Sequence, residues 1–504
     1  KNICAMVRHL GALAGLRGYK YGLYRNPQDE DPFLGPALEL FDRDIYEECQ
    51  DWTKKGATVA EAQRILLDMK NQKRAPRPEW APDERLDWER AKRKTLWAFS
   101  VDGLKVSPYS LEEALEGMEM HTAAGYTFPG KKKSEVKDEL FASAQRRVLD
   151  AKIGRRVEAT PCTVGSRGHL RLKTNPKRRV VMVVPGEHVC VERMFSVPIT
   201  EKLKANPDKS PMFFGADFMV RLRRLLEIEH GYRSVSVHVD VETFDRDVPE
   251  WLMEEAFDVV EDLLDFETFH GERVPPAAQK RWKRVFAMVR EYFIHTPVML
   301  FDGSLIWMDG SVPSGSAFTQ LIDSIISYLM MQFLSLRTGH GIYDLKVLGD
   351  DCKLDLAGRP KLDLWAHLML RWFGMKLSLK KTRIYGAGFR QRKFLGYNLM
   401  SGFLERDRLE LFNLAIHPEK RVDSLIKSYT RLTAYMFLGG VNDKRFCQFF
   451  EFVQSCYDIP DVAPELDYEL DTKRKYAGFD MPWKTLRSYT LRDFRHGLFR
   501  YLNW

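Results

Sequence analysis

The sequence predicts an α+β fold, and three observations predict it. Residues 233–264 and 343–399 each alternate between the period-two pattern of strands and the 3.6-residue pattern of helices. An insertion of about eighty residues separates these stretches, and helical periodicity dominates from about Glu405 onward. The composition agrees, because 44% hydrophobic and 29% charged residues over 504 positions allow a large core divided among two to four subdomains. Disordered, collagen-like and small disulfide-stapled chains are excluded. Seven cysteines, odd in number and without a C-x-x-C pair, argue against a secreted disulfide framework or a zinc ribbon and point to a reducing compartment. The longest apolar stretch, 321–336, is short for a bilayer span and contains Asp323, and no signal peptide precedes it. The expectation is therefore a chain neither inserted in a membrane nor exported by a visible signal.

In chain order, the first hundred residues read as helices and loops, with a Pro-rich hinge from Arg74 to Pro78 and a charged helix from Asp83 to Ala98. No chemistry is assigned to them. Between Lys131 and Val181 fifteen basic residues face five acidic ones, while the whole chain carries only +8. A basic block in a near-neutral protein suits a polyphosphate partner, because neutralised phosphates release their counterions. Lys177, Arg178 and Arg179 run directly into the strand-like Val180–Val184, which attaches basic side chains to a fixed element. Gly125 to Lys131 matches most of a phosphate-binding P-loop, yet Lys132 stands where the Mg-binding Ser or Thr belongs and no buried strand precedes it, so that motif is rejected.

Ser234–Asp240 alternates strictly, with Val235, Val237 and Val239 on one face and Ser236, His238 and Asp240 on the other, so Asp240 ends a half-buried strand. Asp245 follows, and Pro249 opens an amphipathic helix to about Leu264. Pro313–Ser324 reads as a Ser-Gly loop, with Ser314 and Gly315, entering a buried helix on which Thr319, Asp323 and Ser327 share one stripe. Leu345–Leu356 reads as a hairpin turning at Gly349-Asp350, with Asp351 next. Each piece has a bland reading as cap, turn or core. Together they concentrate acids whose repulsion, about 4 kcal/mol for two charges 4 Å apart at an effective dielectric of 20, is relieved by divalent cations.

These pieces in this order resemble the viral RNA-dependent RNA polymerases, most closely those of the partitivirus group of double-stranded RNA viruses, with picobirnaviruses next. Asp240 with Asp245 is similar to motif A, Ser314-Gly315 through Thr319, Asp323 and Ser324 to motif B, and Leu348–Asp351 to motif C. Lys177–Arg179 resembles motif F, Trp372–Met375 through Lys380-Lys381-Thr382 motif D, and Phe394–Tyr397 motif E. Val184-Pro185 leading to Glu192 and Phe195, and His417-Pro418-Glu419, belong to the partitivirus likeness.

The resemblance implies a closed right hand with an antiparallel-sheet palm. It would divide into an N-terminal extension bridging fingers and thumb (1–95), fingers (96–232), palm (233–264), fingers insertion (265–312), palm (313–404) and thumb (405–504). It implies two Mg²⁺ or Mn²⁺ ions held by Asp240 and Asp350 with support from Asp351, and Lys381, or else Lys380, as proton donor to pyrophosphate. Lys177, Arg178 and Arg179 would contact the triphosphate, Asp245, Ser314 and Asp323 would read the ribose 2′-hydroxyl, and Gly315 and Thr319 would complete the nucleotide site. Implied partners are RNA template and product, NTPs and a viral capsid protein, without a membrane, in the virion interior and host cytoplasm. A reverse transcriptase shares the palm, but its hairpin usually has an aromatic and a small residue where this chain has Leu348-Gly349. An RNA-binding or capsid-associated protein on a decayed palm would not need every carboxylate present here.

Overall fold

The computed structural model describes residues 23, 26–175, 178–215, 218–228, 230, 234–386, 392–400, 403–461 and 485–494; Lys177 lies outside them. The elements that frame the site are α1 (Pro82–Ser100), the strand pair β1 (Thr163–Gly168) and β2 (Arg178–Val183), and α2 (Gly186–Ala205). They continue with β3 (Ser234–Val239), α3 (Glu250–Leu263), α4 (Pro276–Ile294) and α5 (Thr319–Thr338). The hairpin β4 (Ile342–Leu348) and β5 (Asp351–Ala357), then α6 (Leu362–Phe373) and β6 (Arg383–Gly386), complete the frame.

Four of these strands form one antiparallel sheet in the order β4-β5-β3-β6, so β3 is central and the hairpin lies on one side of it. The expectation of a half-buried β3 is corrected. Ser236 and His238 are buried as well as Val237 and Val239, because His238 packs edge-on to Tyr385 and its Nδ1 lies 2.5 Å from the Lys393 carbonyl oxygen. Central strands covered on both faces lose the simple in-out alternation.

Helix α5 is buried on every side from Leu321 to Ser335, as a helix inside a core must be. Trp80, just past the Pro-rich hinge, stacks on Trp88 at 5.4 Å, and both rings meet Phe333 of α5 edge-on at 5.1 and 5.3 Å. Helix α1 and the segment just before it are thereby laid over the central helix. As expected, α3 follows Pro249, and helices Arg408–Ile416, Leu425–Phe437 and Lys444–Cys456 occupy the C-terminal part. Among the described residues, Cys49, Cys162, Cys190, Cys352, Cys447 and Cys456 are all free thiols, and no helix is long and apolar enough to cross a membrane.

A first apolar core runs through residues 57–377 and surrounds α5 and the sheet. A second one joins N-terminal residues 34–49 to residues 213–226 and to the C-terminal helices. Segments far apart in the chain are tied by polar groups too. Asp31 is fully buried; its carboxylate accepts from Ser428 Oγ at 2.7 Å, from the Phe33 and Leu34 N–H groups at 3.0 and 3.1 Å, and from Arg431 at 2.5 Å. The His417 ring nitrogens lie 2.9 and 3.0 Å from the Asp29 and Cys49 carbonyl oxygens.

Breaking the Asp31 tie strands a partly buried guanidinium, a loss of about 3–5 kcal/mol. Asp31→Ala is expected to lower the urea midpoint measured by circular dichroism. An unchanged midpoint would show that the 31–34 segment and the helix Leu425–Phe437 hold together without it.

Candidate active site

Strand register builds the site. Cys352 pairs with Val239 and Arg383 with His238, so continuing both antiparallel ladders past β3 sets Asp351 on one side of Asp240 and Lys381 on the other. The side chains agree, with Lys381 Nζ 3.1 and 3.2 Å from the two carboxylate oxygens of Asp240. The Asp240 backbone is fixed as well. Its N–H donates to Thr382 Oγ1 at 3.3 Å and its carbonyl accepts from the Ser378 N–H at 2.9 Å.

The hairpin turns at Gly349-Asp350, as expected, with Gly349 at φ 66°, a left-handed conformation that glycine adopts freely. Helix α5 grips this turn at both polar groups of Gly349. Its N–H donates to Ser324 Oγ at 2.9 Å, and its carbonyl accepts from Ser327 Oγ at 2.8 Å. Ser327 of the polar stripe read on α5 therefore has its partner in the turn, and Ser324, beside that stripe, shares the grip. Asp323, on the same helix, is 4% exposed, and its Oδ1 has no hydrogen-bond partner. Burial holds its carboxyl well above the usual range, and the charges of Asp245 and Asp350 add to that. Asp351 presents surface to solvent, yet crowding by surrounding protein, then Asp350 and Asp240, push its carboxyl up to about 7 against the pull of Arg179 and Lys381. Five carboxylates, Asp240, Asp245, Asp323, Asp350 and Asp351, thus form one electrostatic group.

The loop before α5 lies against β2. Ser314 Oγ accepts from the Met182 N–H at 3.2 Å, and a Cβ on Gly315 would stand 2.2 Å from the Met182 carbonyl oxygen, so only glycine permits the approach. Thr319 Oγ1 closes the loop on itself, 2.7 Å from the Pro313 carbonyl oxygen and 3.0 Å from that of Ser316. Neighbouring residues of a strand point to opposite sides, which separates Arg178 from Arg179. Arg179 acts on Asp351. Arg178 instead pairs with Glu61 at 2.9 Å and donates to the Gly56 carbonyl at 2.8 Å, so it anchors the N-terminal segment rather than offering a free charge to a triphosphate. Other members of the basic block are likewise engaged inside the protein: Lys133 is 8% exposed and donates to Thr122, and Arg147 bonds Thr160.

A second polar group carries no sequence motif. Glu250, His295 and Asp309 each offer a ligand atom within 4.8 Å of the others, brought together from a helix start and the two strands His295–Met299 and Leu305–Asp309. His295 Nδ1 already lies 2.8 Å from Asp309, and the Arg74 guanidinium, bonded to the Asp309 carbonyl at 2.9 Å, supplies a cation to the same group. It is a self-compensated cluster apart from the five carboxylates.

The family description viral RNA-dependent RNA polymerase matches residues 45–454. The chain is 27% identical over 369 residues to the RNA-directed RNA polymerase of Cryptosporidium parvum virus 1, covering 68% of this chain and 66% of the relative. It is 24% identical over 310 residues to that of white clover cryptic virus 1, covering 56% of this chain and 50% of the relative. The matches thus span less than two thirds of these relatives. Among solved structures, the RNA-dependent RNA polymerase of a human picobirnavirus superposes with a TM-score of 0.66 at 15% identity, covering 97% of this chain and 96% of the other. Its insertion-loop deletion mutant gives 0.63 at 15% identity, covering 91% of each.

The charges of the site make two expectations testable. Asp323→Asn should stabilise the metal-free protein at pH 8 but not near pH 4: a carboxyl raised in the folded state contributes stability below its unfolded value and loses it as pH rises toward the folded one. Thermal melts at the two pH values check this, and an equal effect at both would place Asp323 outside the electrostatic group. Second, Arg178→Ala should lower the melting temperature, whereas Arg179→Ala should leave it unchanged and weaken nucleotide binding in a fluorescence titration. The opposite pairing would reverse their assignments.

Proposed function

The chain belongs to the viral RNA-dependent RNA polymerase family, and on that premise we propose that it is the RNA-directed RNA polymerase of a double-stranded RNA virus, a nucleotidyltransferase that copies RNA from NTPs for genome replication and transcription. The observation that carries this reading is the convergence of Asp240, Asp350 and Asp351 at adjoining strand ends, with Arg179 and Lys381 as the opposing charges. In this reading the sheet would serve as the palm, β1 and β2 as part of the fingers and the C-terminal helices as the thumb.

The residues fit a divalent metal centre. Asp351 is raised to about 7 by crowding and like charge, and the Lys381 ammonium sits on Asp240, so the cluster is short of positive charge and already attracts a cation. Asp240 and Asp350 would hold two Mg²⁺ or Mn²⁺ ions, supported by Asp351. Bound there, the ions would activate the primer 3′-hydroxyl and neutralise the leaving pyrophosphate.

The chain's own groups do the rest. Arg179 stands beside the carboxylates where a triphosphate would need a counter-charge. Lys381 must leave Asp240 to reach the leaving oxygen, which its ammonium can both stabilise and protonate. Asp245, Ser314 and Asp323 supply polar atoms for the ribose 2′-hydroxyl, and a deoxynucleotide would leave them without a partner. Gly315 and Thr319 shape the loop that carries Ser314. Lys177 keeps its expected phosphate role as a proposal. A capsid protein as partner, and residence in the virion interior and host cytoplasm, come with the viral group.

Labelled-nucleotide extension of a primed RNA template with Mg²⁺ or Mn²⁺ tests this. The protein should incorporate rNTPs in preference to dNTPs, and Asp350→Asn should lose extension while retaining the metal-free melting temperature. A dNTP preference would indicate a reverse transcriptase, and extension by Asp350→Asn would remove the assignment of the site.

A further inference from the structure

Helix α2 contributes a group to this neighbourhood that touches none of the five carboxylates. Glu192 is fully buried, and both of its oxygens are directed at the loop preceding α5: Oε1 accepts from Ser316 Oγ and Oε2 from the Ala317 N–H, each at 2.8 Å. Ser316 Oγ also accepts from the Phe318 N–H at 3.0 Å. A carboxylate taken out of water is costly unless both oxygens are bonded. Burial accordingly pushes the Glu192 carboxyl up to about 7, against the pull of its two hydrogen bonds and of Lys133.

The other side of Glu192 offers no competing bond. His188 is 1% exposed with its Nε2 3.7 Å from Oε1, beyond hydrogen-bond reach, and neither ring nitrogen has a hydrogen-bond partner. Its ring lies against Tyr292 with centroids 3.8 Å apart. Glu192 is thus committed to the loop. Two residues before Ser316, Ser314 is fixed to Met182 of β2, and Gly315 between them allows contact with the Met182 carbonyl. The loop is held from two sides, by the basic strand at one end and by α2 at the other.

We infer that Glu192 is a positioning residue, which clamps residues 313–318 so that Ser314 and Gly315 stand against Met182 of β2, the strand that carries Arg179, before a nucleotide binds. The inference rests on the polymerase reading of the site. A clamp on a preformed binding loop lowers the cost of ordering it on binding, so its loss weakens nucleotide capture more than the chemical step.

The hydrogen-bond inventory provides a specific rescue. In Glu192→Gln the amide oxygen can take the Ala317 N–H, and the amide NH₂ can donate to Ser316, whose hydroxyl has two lone pairs and is free to turn. The methyl side chain of Glu192→Ala can do neither, and Ser316→Ala removes the acceptor that Gln needs.

Steady-state incorporation and amide hydrogen exchange on the full chain test the clamp. Glu192→Ala should raise the KM for NTP about tenfold, the worth of an ordinary hydrogen bond, with kcat changed less than about twofold. Exchange in the peptide spanning 313–318 should become faster. Glu192→Gln should return both readouts toward the wild-type values, and Ser316→Ala in the Glu192→Gln background should undo the rescue. Wild-type KM and loop exchange in Glu192→Ala would overturn the clamp, as would a rescue indifferent to Ser316→Ala. If Glu192→Ala does not fold, the Gln variant with and without Ser316→Ala decides the matter alone. A wild-type protein that incorporates no nucleotide would defeat the polymerase reading, and loop exchange in the same variants would still judge the clamp.

Discussion

Like-charge repulsion among carboxylates is the constraint on which the rest of this structure depends. Two full charges 4 Å apart at an effective dielectric of 20 cost about 4 kcal/mol, and here five acids share a small volume. The fold meets that cost by fixing backbone rather than by letting side chains separate. Asp240 is locked between β5 and the 376–382 segment, and the turn bearing Asp350 is bonded at both polar groups of Gly349 by α5. The surrounding core, with a central helix buried on every side, supplies the rigidity those bonds require.

The same constraint sorts the cations. Lys381 is directed at Asp240, and Arg179 is close enough to act on Asp351, whereas Arg178 and Lys133 are engaged elsewhere. Across the β1–β2 pair Arg167 stands opposite Arg179, a like-charge pairing that strands normally avoid. Arg167 leans on Glu419 at 3.7 Å, so the His417-Pro418-Glu419 stretch helps to hold the basic hairpin as well as the N-terminal segment. On the proposed reading, repelling cations beside repelling anions would suit a ligand that bears phosphates and brings metal.

Much of this was legible because it is local. Asp240 at a strand end and the Gly349-Asp350 turn follow from period-two alternation and turn chemistry, and the motif resemblance is borne out at the level of the family. What stayed hidden depends on partners far away in the chain. Strand parity separates Arg178 from Arg179, but which of them faces the acids is decided by Glu61 and Gly56, more than a hundred residues upstream. Ser324 reads as a helix residue until Gly349 is found beneath it. Glu192 was visible only as a mark of likeness, since its partners Ser316 and Ala317 lie beyond the sheet's first strand, and the Glu250, His295 and Asp309 group is assembled from three separate elements.

The most direct test of the central claim is where metal binds. Iron(II) substituted for the native ion and treated with ascorbate and peroxide cleaves the backbone beside its ligands. The account predicts fragments ending near residues 240 and 350, suppressed by excess Mg²⁺ and lost from the 350 position in Asp350→Asn. Cleavage confined to the neighbourhood of Glu250, His295 and Asp309 would contradict it, because the metal centre would then lie in the self-compensated cluster and not at the strand ends.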